Sequence, residues 1–261
     1  MKGLCVLLVT ACIATAAPIP NAVTPNTRTP ILVELFTSEG CSSCPPADLW
    51  LQQLDTTQLI PGAQIIVLSE HVDYWDHDGW KDPYSLALST DRQSGYVRAM
   101  GLSTPYTPQI IVNGASELRL SEPQHIRQVF AKEALAAQVP VSVGALKVDG
   151  NVPAILRAHI DVNGAEVKRN ADIIAAVALD RARSQVAHGE NEGKLLTHVA
   201  VAQEFVKIGK LQKGKTFSED IQIKLLPNIN SQNLRLIVFV QEPEFGKVLG
   251  AAVQQSSPFG K

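Results

Sequence analysis

Cys41 and Cys44 flank two serines, and this C-x-x-C pair is the strongest chemical signal in the chain. The sequence holds four cysteines. The other two, Cys5 and Cys12, fall in an N-terminal stretch that reads as a removable leader, which leaves a mature chain with one pair at a short spacing. One pair cannot build a disulfide scaffold. It can close a small structural ring, present a dithiol, or hold a soft metal. In dithiol chemistry one thiolate attacks a disulfide sulfur and the second thiol resolves the mixed disulfide. That reaction needs no cofactor beyond the pair itself. In the metal alternative, two thiolates and an imidazole suit copper or zinc, with Cys41, Cys44 and His71 as ligands.

The leader bears on which chemistry survives. Lys2, the apolar run Leu4 to Ile13 and Ala14-Thr15-Ala16 read together as a signal peptide over residues 1–16. Val9-Thr10-Ala11-Cys12 also resembles a lipobox, which would place a lipid anchor on Cys12. Either reading exports the chain to a periplasmic or secreted, oxidising location, where a cysteine pair persists as a disulfide. Residues 17–30, rich in Pro, Thr and Asn, read as a flexible lead-in. No later stretch has the ~20 apolar residues of a membrane span, so an integral membrane protein is not expected. The chain has 261 residues, 45% hydrophobic, with a net charge of -2. That is ordinary globular composition, and without a basic patch nucleic acid is not an expected partner. An exported protein or a small thiol is the expected substrate.

The elements that must position the pair follow from patterning. Ile31 to Phe36 is a short apolar run with β-branched residues and reads as a buried strand. The cysteines come next, then helical spacing from Ala47 to Leu54. Gln64 to Ser69 is a second buried strand. A strand–helix–strand unit predicts parallel strands with a right-handed crossover. The first cysteine would then sit at a helix N-terminus, where free N–H groups favour a thiolate, with the second one turn inside. Pro45 and Pro46 remove donors where the loss matters least and can delay the regular helix. Asp91 to Met100 reads as a helix, Gln109 to Val112 as a strand, Asn113-Gly114 as a hairpin turn to Glu117–Leu120, and Glu122 to Ala137 as a helix. This is the element order of a thioredoxin fold, over residues 31–138. From Val139 onward seven strand-like runs separated by turn signals predict an all-β sandwich over residues 139–256. The expected fold is thus α/β and thioredoxin-like at the N-terminal end, followed by a separate β-sandwich domain.

Two segments resemble thioredoxins. Ile31-Leu32-Val33-Glu34 resembles the strand that carries a buried acid ahead of the cysteine pair, and the resemblance implies Glu34 as proton relay for Cys44. Tyr106-Thr107-Pro108-Gln109 resembles the segment in which a cis-proline lies beside the pair, so Pro108 and Thr107 would shape the substrate groove. Cys41 would be the exposed nucleophile and Cys44 the resolving thiol. The stretch from Glu34 to Cys41 is one residue longer than in thioredoxins, Gly40 replaces their Trp, and Ser42-Ser43 replaces Gly-Pro. A longer resemblance spans nearly the whole mature chain. Val33 to Asp48, His71-Val72-Asp73-Tyr74-Trp75-Asp76, Gly79-Trp80-Lys81-Asp82-Pro83, Thr90-Asp91-Arg92-Gln93, Tyr106 to Gln109 and Gly189-Glu190-Asn191 resemble the secreted, thioredoxin-like family catalogued as domain of unknown function 1223. It implies fold and export but no reaction.

Other candidates carry two readings each. His71 and Asp73 follow the second strand and would share the sheet edge with the cysteines, so they could tune a thiolate or simply anchor a loop. Tyr74, Trp75, Trp80 and Tyr84 could wall a substrate groove or pack a long loop. Asp82 reads as solvated or capping. Gly189 to Gly193 reads as a turn between strands, or as a loop that reaches the cysteines across the domain interface. His188 and His198 beside it read as ordinary strand or loop residues. Three functions remain open: an exported thiol–disulfide oxidoreductase, a copper or zinc binder, and a binding module with a structural disulfide.

Overall fold

The computed structural model describes residues 28–77, 79–149, 153–227 and 229–256. The leader, Cys5 and Cys12 with its lipid-anchor reading, and nearly all of the lead-in lie outside the described residues. The fold is α/β, with one large mixed sheet and three helices among the described residues.

The first half runs β1 (Thr29–Thr37), α1 (Pro45–Thr57), β2 (Ala63–His71), α2 (Ala87–Ala99), β3 (Gln109–Val112), β4 (Ser116–Leu118) and α3 (Pro123–Ala134). Every residue of β1 from Ile31 onward is buried. This is what a strand covered on both faces requires, and it explains why β1 reads as an apolar run rather than an alternation. β1 pairs parallel with β2 and antiparallel with β3. The β3–β4 turn places Asn113 and Gly114 at positive φ, the geometry that Asn-Gly favours. The buried Asn113 side chain accepts from Leu32 N and donates to Glu133, fastening the turn to β1 and α3.

The second half is β5 (Val141–Val143), β6 (Lys147–Asp149), β7 (Ile155–Asn163), β8 (Ala171–Gln185), β9 (Leu195–Leu211), β10 (Thr216–Lys224), β11 (Leu234–Gln241) and β12 (Val248–Gln255). The expected strand over 141–148 is two short strands, because Gly144 to Leu146 break the pairing.

The two halves share a sheet. β9 pairs parallel with β2 through Val201 and Ser69, giving the eight-strand order β12-β11-β8-β9-β2-β1-β3-β4. A self-contained sandwich over residues 139–256 was expected. The structure instead divides those strands between the large sheet and a smaller sheet of β10, β7, β5 and β6. Side-chain alternation along β8 and β11 is the physical reason. Ile173, Ala175, Val177, Leu236 and Val238 pack against the small sheet. Ala176, Ala178, Ile237 and Phe239 instead join one core with Val33, Leu35, Leu51 and Phe130 of the first half. The large sheet also coils back on itself, so that Val248 N donates to Asn113 O at 2.8 Å.

A shared core predicts a single unfolding unit. All three tryptophans, Trp50, Trp75 and Trp80, lie in the first half. Urea unfolding followed by tryptophan fluorescence and by far-UV circular dichroism should give coincident transitions. A separate transition in the circular dichroism would show that the halves fold independently.

Candidate functional site

Cys41 and Cys44 are joined as a disulfide, with Cα atoms 5.5 Å apart. The helix opens at Pro45, two residues ahead of the helical spacing read from Ala47 and after both cysteines. Pro45 and Pro46 occupy its opening positions, Cys44 is the N-cap, and Cys41 lies in the preceding turn. The turn is closed by backbone bonds from Cys41 N to Ser38 O and from Cys44 N to Cys41 O, each 3.2 Å. Ser43 Oγ is 3.3 Å from Cys41 Sγ. Both cysteines are buried, Cys41 at 1% exposure and Cys44 at 0%. The expected exposed nucleophile is therefore covered.

Part of the cover comes from the second half. The long β8–β9 hairpin reaches beyond the small sheet, and its tip crosses the cysteine turn. Asn191, fully buried, donates to Glu39 O at 2.8 Å and to Cys41 O at 2.9 Å. Ser42 N donates to Glu190 Oε2 at 2.9 Å, and bonding from the Ser42 side chain and amide holds the Glu190 carboxyl below its usual range. Gly189 and Gly193 take the positive φ that the tight tip needs. The 189–193 segment realises both readings: it is the turn between β8 and β9, and it reaches the cysteine turn.

Beneath the turn lies a buried charged cluster. Glu39, fully buried, receives hydrogen bonds from Trp80 Nε1 at 2.9 Å and from Ser184 Oγ, and contacts His198 Nε2 at 3.0 Å. The other ring nitrogen of His198 stands 3.8 Å from Asp48 Oδ1, an ionic contact longer than a hydrogen bond. Burial works against a charge on His198, but Asp48 and Glu39 more than offset it and raise its pKa to about 9. Asp82 accepts from Glu39 N at 2.8 Å and bonds His71 Nδ1 at 2.7 Å. Burial alone would raise Asp82, yet the His71 contact and the N–H groups of Glu39 and Tyr84 hold it below the usual carboxylate range. The rings of His71 and His198 meet edge to face at 4.6 Å, with Tyr84 beside both. Asp82 is thus a buried linker rather than a solvated residue, and His198 is part of the site rather than an ordinary strand residue.

The remaining expected residues divide. Trp75 backs onto Gly40, where an added Cβ would sit 3.2 Å from Trp75 Cβ. Its Nε1 donates to Thr107 Oγ1 at 2.8 Å, so Trp75 ties the cysteine turn to the Thr107–Pro108 segment, whose peptide bond is cis. Asp73 bonds Thr90, and Tyr74 packs against the cluster of Phe36, Val72, Tyr96 and Ile111. Glu34 does not point toward α1. With Phe36 it faces α2, where its carboxylate takes hydrogen bonds from Arg92 Nε at 2.7 Å and Tyr96 OH at 2.6 Å. Strand alternation explains this: Glu34 and Phe36 share the face of β1 toward α2, while Leu35 on the other face joins the core with Leu51 of α1. Nearby, burial and the Glu34 charge push the Glu70 carboxyl well above its usual range. Among the described residues no group of three or more His, Cys, Asp or Glu is placed to hold a metal ion, and Cys41, Cys44 and His71 form no such group. No helix among the described residues is long and apolar enough to cross a membrane.

Sequence reasoning missed Glu39, Asp48, Asp82, Ser184 and His198. The one signal that could have found a member is the four-residue interval from Cys44 to Asp48, which puts both on one helix face.

A family model described as a protein of unknown function, DUF1223, matches residues 32–241. The chain belongs to the DUF1223 family. The match runs from β1 through β11 and so contains the cysteine turn, the buried cluster and the hairpin tip. Among solved structures, an Agrobacterium tumefaciens protein determined by X-ray crystallography is 25% identical with a TM-score of 0.69, over 90% of this chain and 97% of that one. HBP35 of Porphyromonas gingivalis is 14% identical with a TM-score of 0.66, over 91% of this chain and 80% of that one, a likeness of fold alone. No curated protein matches this DUF1223 chain.

Two stability predictions follow from the buried charges. His198 is raised from 6.5 to about 9 in the folded chain. Its contribution is therefore complete below pH ~6.5 and is lost as pH rises through about 9, on the order of 3 kcal/mol in all. Urea unfolding from pH 6 to 9.5 should show that decline in the wild type and a flatter profile in His198→Gln; equal slopes would contradict the assignment. In the second network Glu70 stands 3.6 Å from Arg92 and can take over the ion pair when Glu34 is neutralised. Glu34→Gln and Glu70→Gln should each cost about 1–2 kcal/mol, and the double variant about 3–5 kcal/mol, because only it leaves Arg92 buried and unpaired. Simple additivity in that cycle would show that Glu70 does not substitute.

Proposed function

We propose that this protein is an exported thiol–disulfide exchange protein whose working group is the Cys41–Cys44 disulfide. The observation that carries the reading is the charged cluster under the pair. Glu39, Asp48, Asp82, His71 and His198 are all buried. Burying several ionisable groups opposes folding unless something else requires them there, and perturbed buried groups gather where chemistry is done. A purely structural ring would be served as well by apolar neighbours. The finer fold reading supports the same view: strand, helix, strand, helix, hairpin and helix over residues 31–138 make a thioredoxin-like unit, with Cys44 capping its first helix. The 139–256 segment adds a sandwich layer and the hairpin that covers the pair.

On this reading Cys41 is the sulfur attacked first and Cys44 the resolving one. Trp75, Thr107 and Pro108 line the side from which a substrate thiol approaches. Export supplies the oxidising surroundings in which the disulfide form is the resting one. The partner is an exported protein or a small thiol.

The test is the reduction potential of the pair in the mature protein, by thiol trapping in glutathione buffers. A value between about -120 and -270 mV, the span of known exchange proteins, is expected. A disulfide still intact below about -300 mV would mark the pair as structural. Cys44→Ser should accumulate mixed disulfides through Cys41, and Cys41→Ser should not; equal trapping by both would sink the assignment of Cys41 as the sulfur attacked first.

A further inference from the structure

We propose that Asp48 and His198 form the proton store for the Cys44 sulfur, a role that rests on the exchange reading. The case starts from helix geometry. Cys44 caps α1 and Asp48 lies four residues on, so the two share one face of the first turn. Asp48 N donates to Cys44 O at 3.1 Å, which fixes that turn. His198 meets Asp48 from β9, bound to Glu39 at 3.0 Å and standing 3.8 Å from Asp48.

The second observation is unused bonding capacity. Asp48 Oδ1 and His198 Nδ1 are both buried and face each other at 3.8 Å, an ionic contact too long for a hydrogen bond, and neither has a hydrogen-bond partner. Unpartnered buried polar atoms are rare and carry a cost, so a matched pair of them calls for a reason. The oxidised pair offers little to bond: a disulfide has no proton and no charge. Reduction changes this, because it creates a thiolate or thiol at Cys44, which is fully buried. A thiolate in that position needs a cation, and a thiol needs a proton source other than bulk water. A protonated imidazole paired with a carboxylate supplies both. Glu34, the acid expected to do this, faces α2 instead and is committed to Arg92 and Tyr96.

The step balances as follows. A substrate thiolate attacks Cys41 Sγ and forms a new S–S bond as the Cys41–Cys44 bond breaks. Cys44 leaves as a thiolate with the bonding pair and takes a proton from the His198 imidazolium, which becomes neutral. A second substrate thiol then displaces Cys41, which gains its proton from solvent. Two electrons pass from two substrate thiols to the protein disulfide. The charged and titratable groups facing His198 are Glu39 from the loop after β1, Asp48 from α1, His71 from β2, and Tyr84 from the segment after it. Asp82 stands behind His71, and Ser184 of β8 shares Glu39.

The experiment uses the mature chain with glutathione as reductant, reading thiol release from pH 6 to 10 per glutathione thiolate. The wild-type rate should hold steady and then fall as pH passes about 9, the value to which His198 is raised. His198→Gln should be slower by about 100-fold at pH 7, with no such fall. Asp48→Asn keeps the imidazole and should move the fall to lower pH, a shift that loss of structure alone would not give. A measurement on the unaltered protein guards against variants that do not fold: by NMR, the His198 titration midpoint should move by roughly one pH unit when the disulfide is reduced. Measurable reduction with coincident profiles, or an unmoved midpoint, would overturn the proton store and leave the exchange reading standing. A native disulfide that glutathione cannot reduce at any pH would overturn both.

Discussion

Glu39 is a fully buried carboxylate two residues before Cys41, and the arrangement of the site depends on satisfying it. Its partners come from three places: Trp80 from the segment after β2, Ser184 from β8 and His198 from β9. Its backbone is held as well, the amide by Asp82 and the carbonyl by Asn191. A carboxylate taken out of water needs this many donors, because an unpaired buried charge is among the costliest defects a fold can carry. The first half of the chain alone cannot meet the requirement. The β8–β9 hairpin therefore completes the cysteine turn, and β9, which unites the sheet by pairing with β2, also carries His198 into the site.

The chain buries two charged networks, and they lie on different sides of the first-half strands. Glu34, Arg92, Tyr96 and Gln241 occupy the face toward α2, close to Phe36 and Phe245. Glu39, Asp48 and His198 occupy the region at the start of α1. Each network draws one member from beyond residue 190: Gln241 in the first, His198 in the second. The apolar core between the halves would hold in several registers, since Ala, Val, Ile and Leu pack adaptably. Hydrogen bonds with fixed partners are less forgiving, so the two polar networks specify how the halves sit together while the apolar residues supply most of the adhesion.

Much of this was legible in the sequence, and the pattern of failure is physical. The strands and helices were visible because buried strands are continuous apolar runs and each helix has its own spacing. β3 begins and ends where patterning placed it, at Gln109 and Val112. Patterning is local, however, and the union of the halves is not. Nothing near Ser69 announces that Val201 will pair with it. The same limit hid the site. Glu39 and Asp82 look like loop acids, yet Asp82 is bonded to His71 and Glu39 N, and the distant Ser184, Asn191 and His198 complete the bonding of Glu39. The misplacement of Glu34 has a different origin. A buried acid at roughly the right distance from the cysteines suggested a relay, but in a strand a shift of one residue reverses the face.

The covered disulfide remains to be reconciled with exchange. The hairpin tip holds the cysteine turn by three hydrogen bonds, two of them from the single Asn191 amide and one from the exposed Glu190–Ser42 contact. At a net worth of about 0.5–1.5 kcal/mol each, lifting the tip costs about 1.5–4.5 kcal/mol. This is a local opening, well below the cost of separating the shared core, and tips of hairpins belong to the low-stability end of any fold. On the proposed exchange reading, a cover of that strength would expose the sulfurs for a minor fraction of the time and keep adventitious thiols away otherwise. A substrate that itself donates to Glu190 or accepts from Ser42 N would lift the tip as it binds, so the strap would act as a selective element. The buried charges stay in place throughout, since Glu39 and His198 are anchored in the turn and in β9 rather than in the tip.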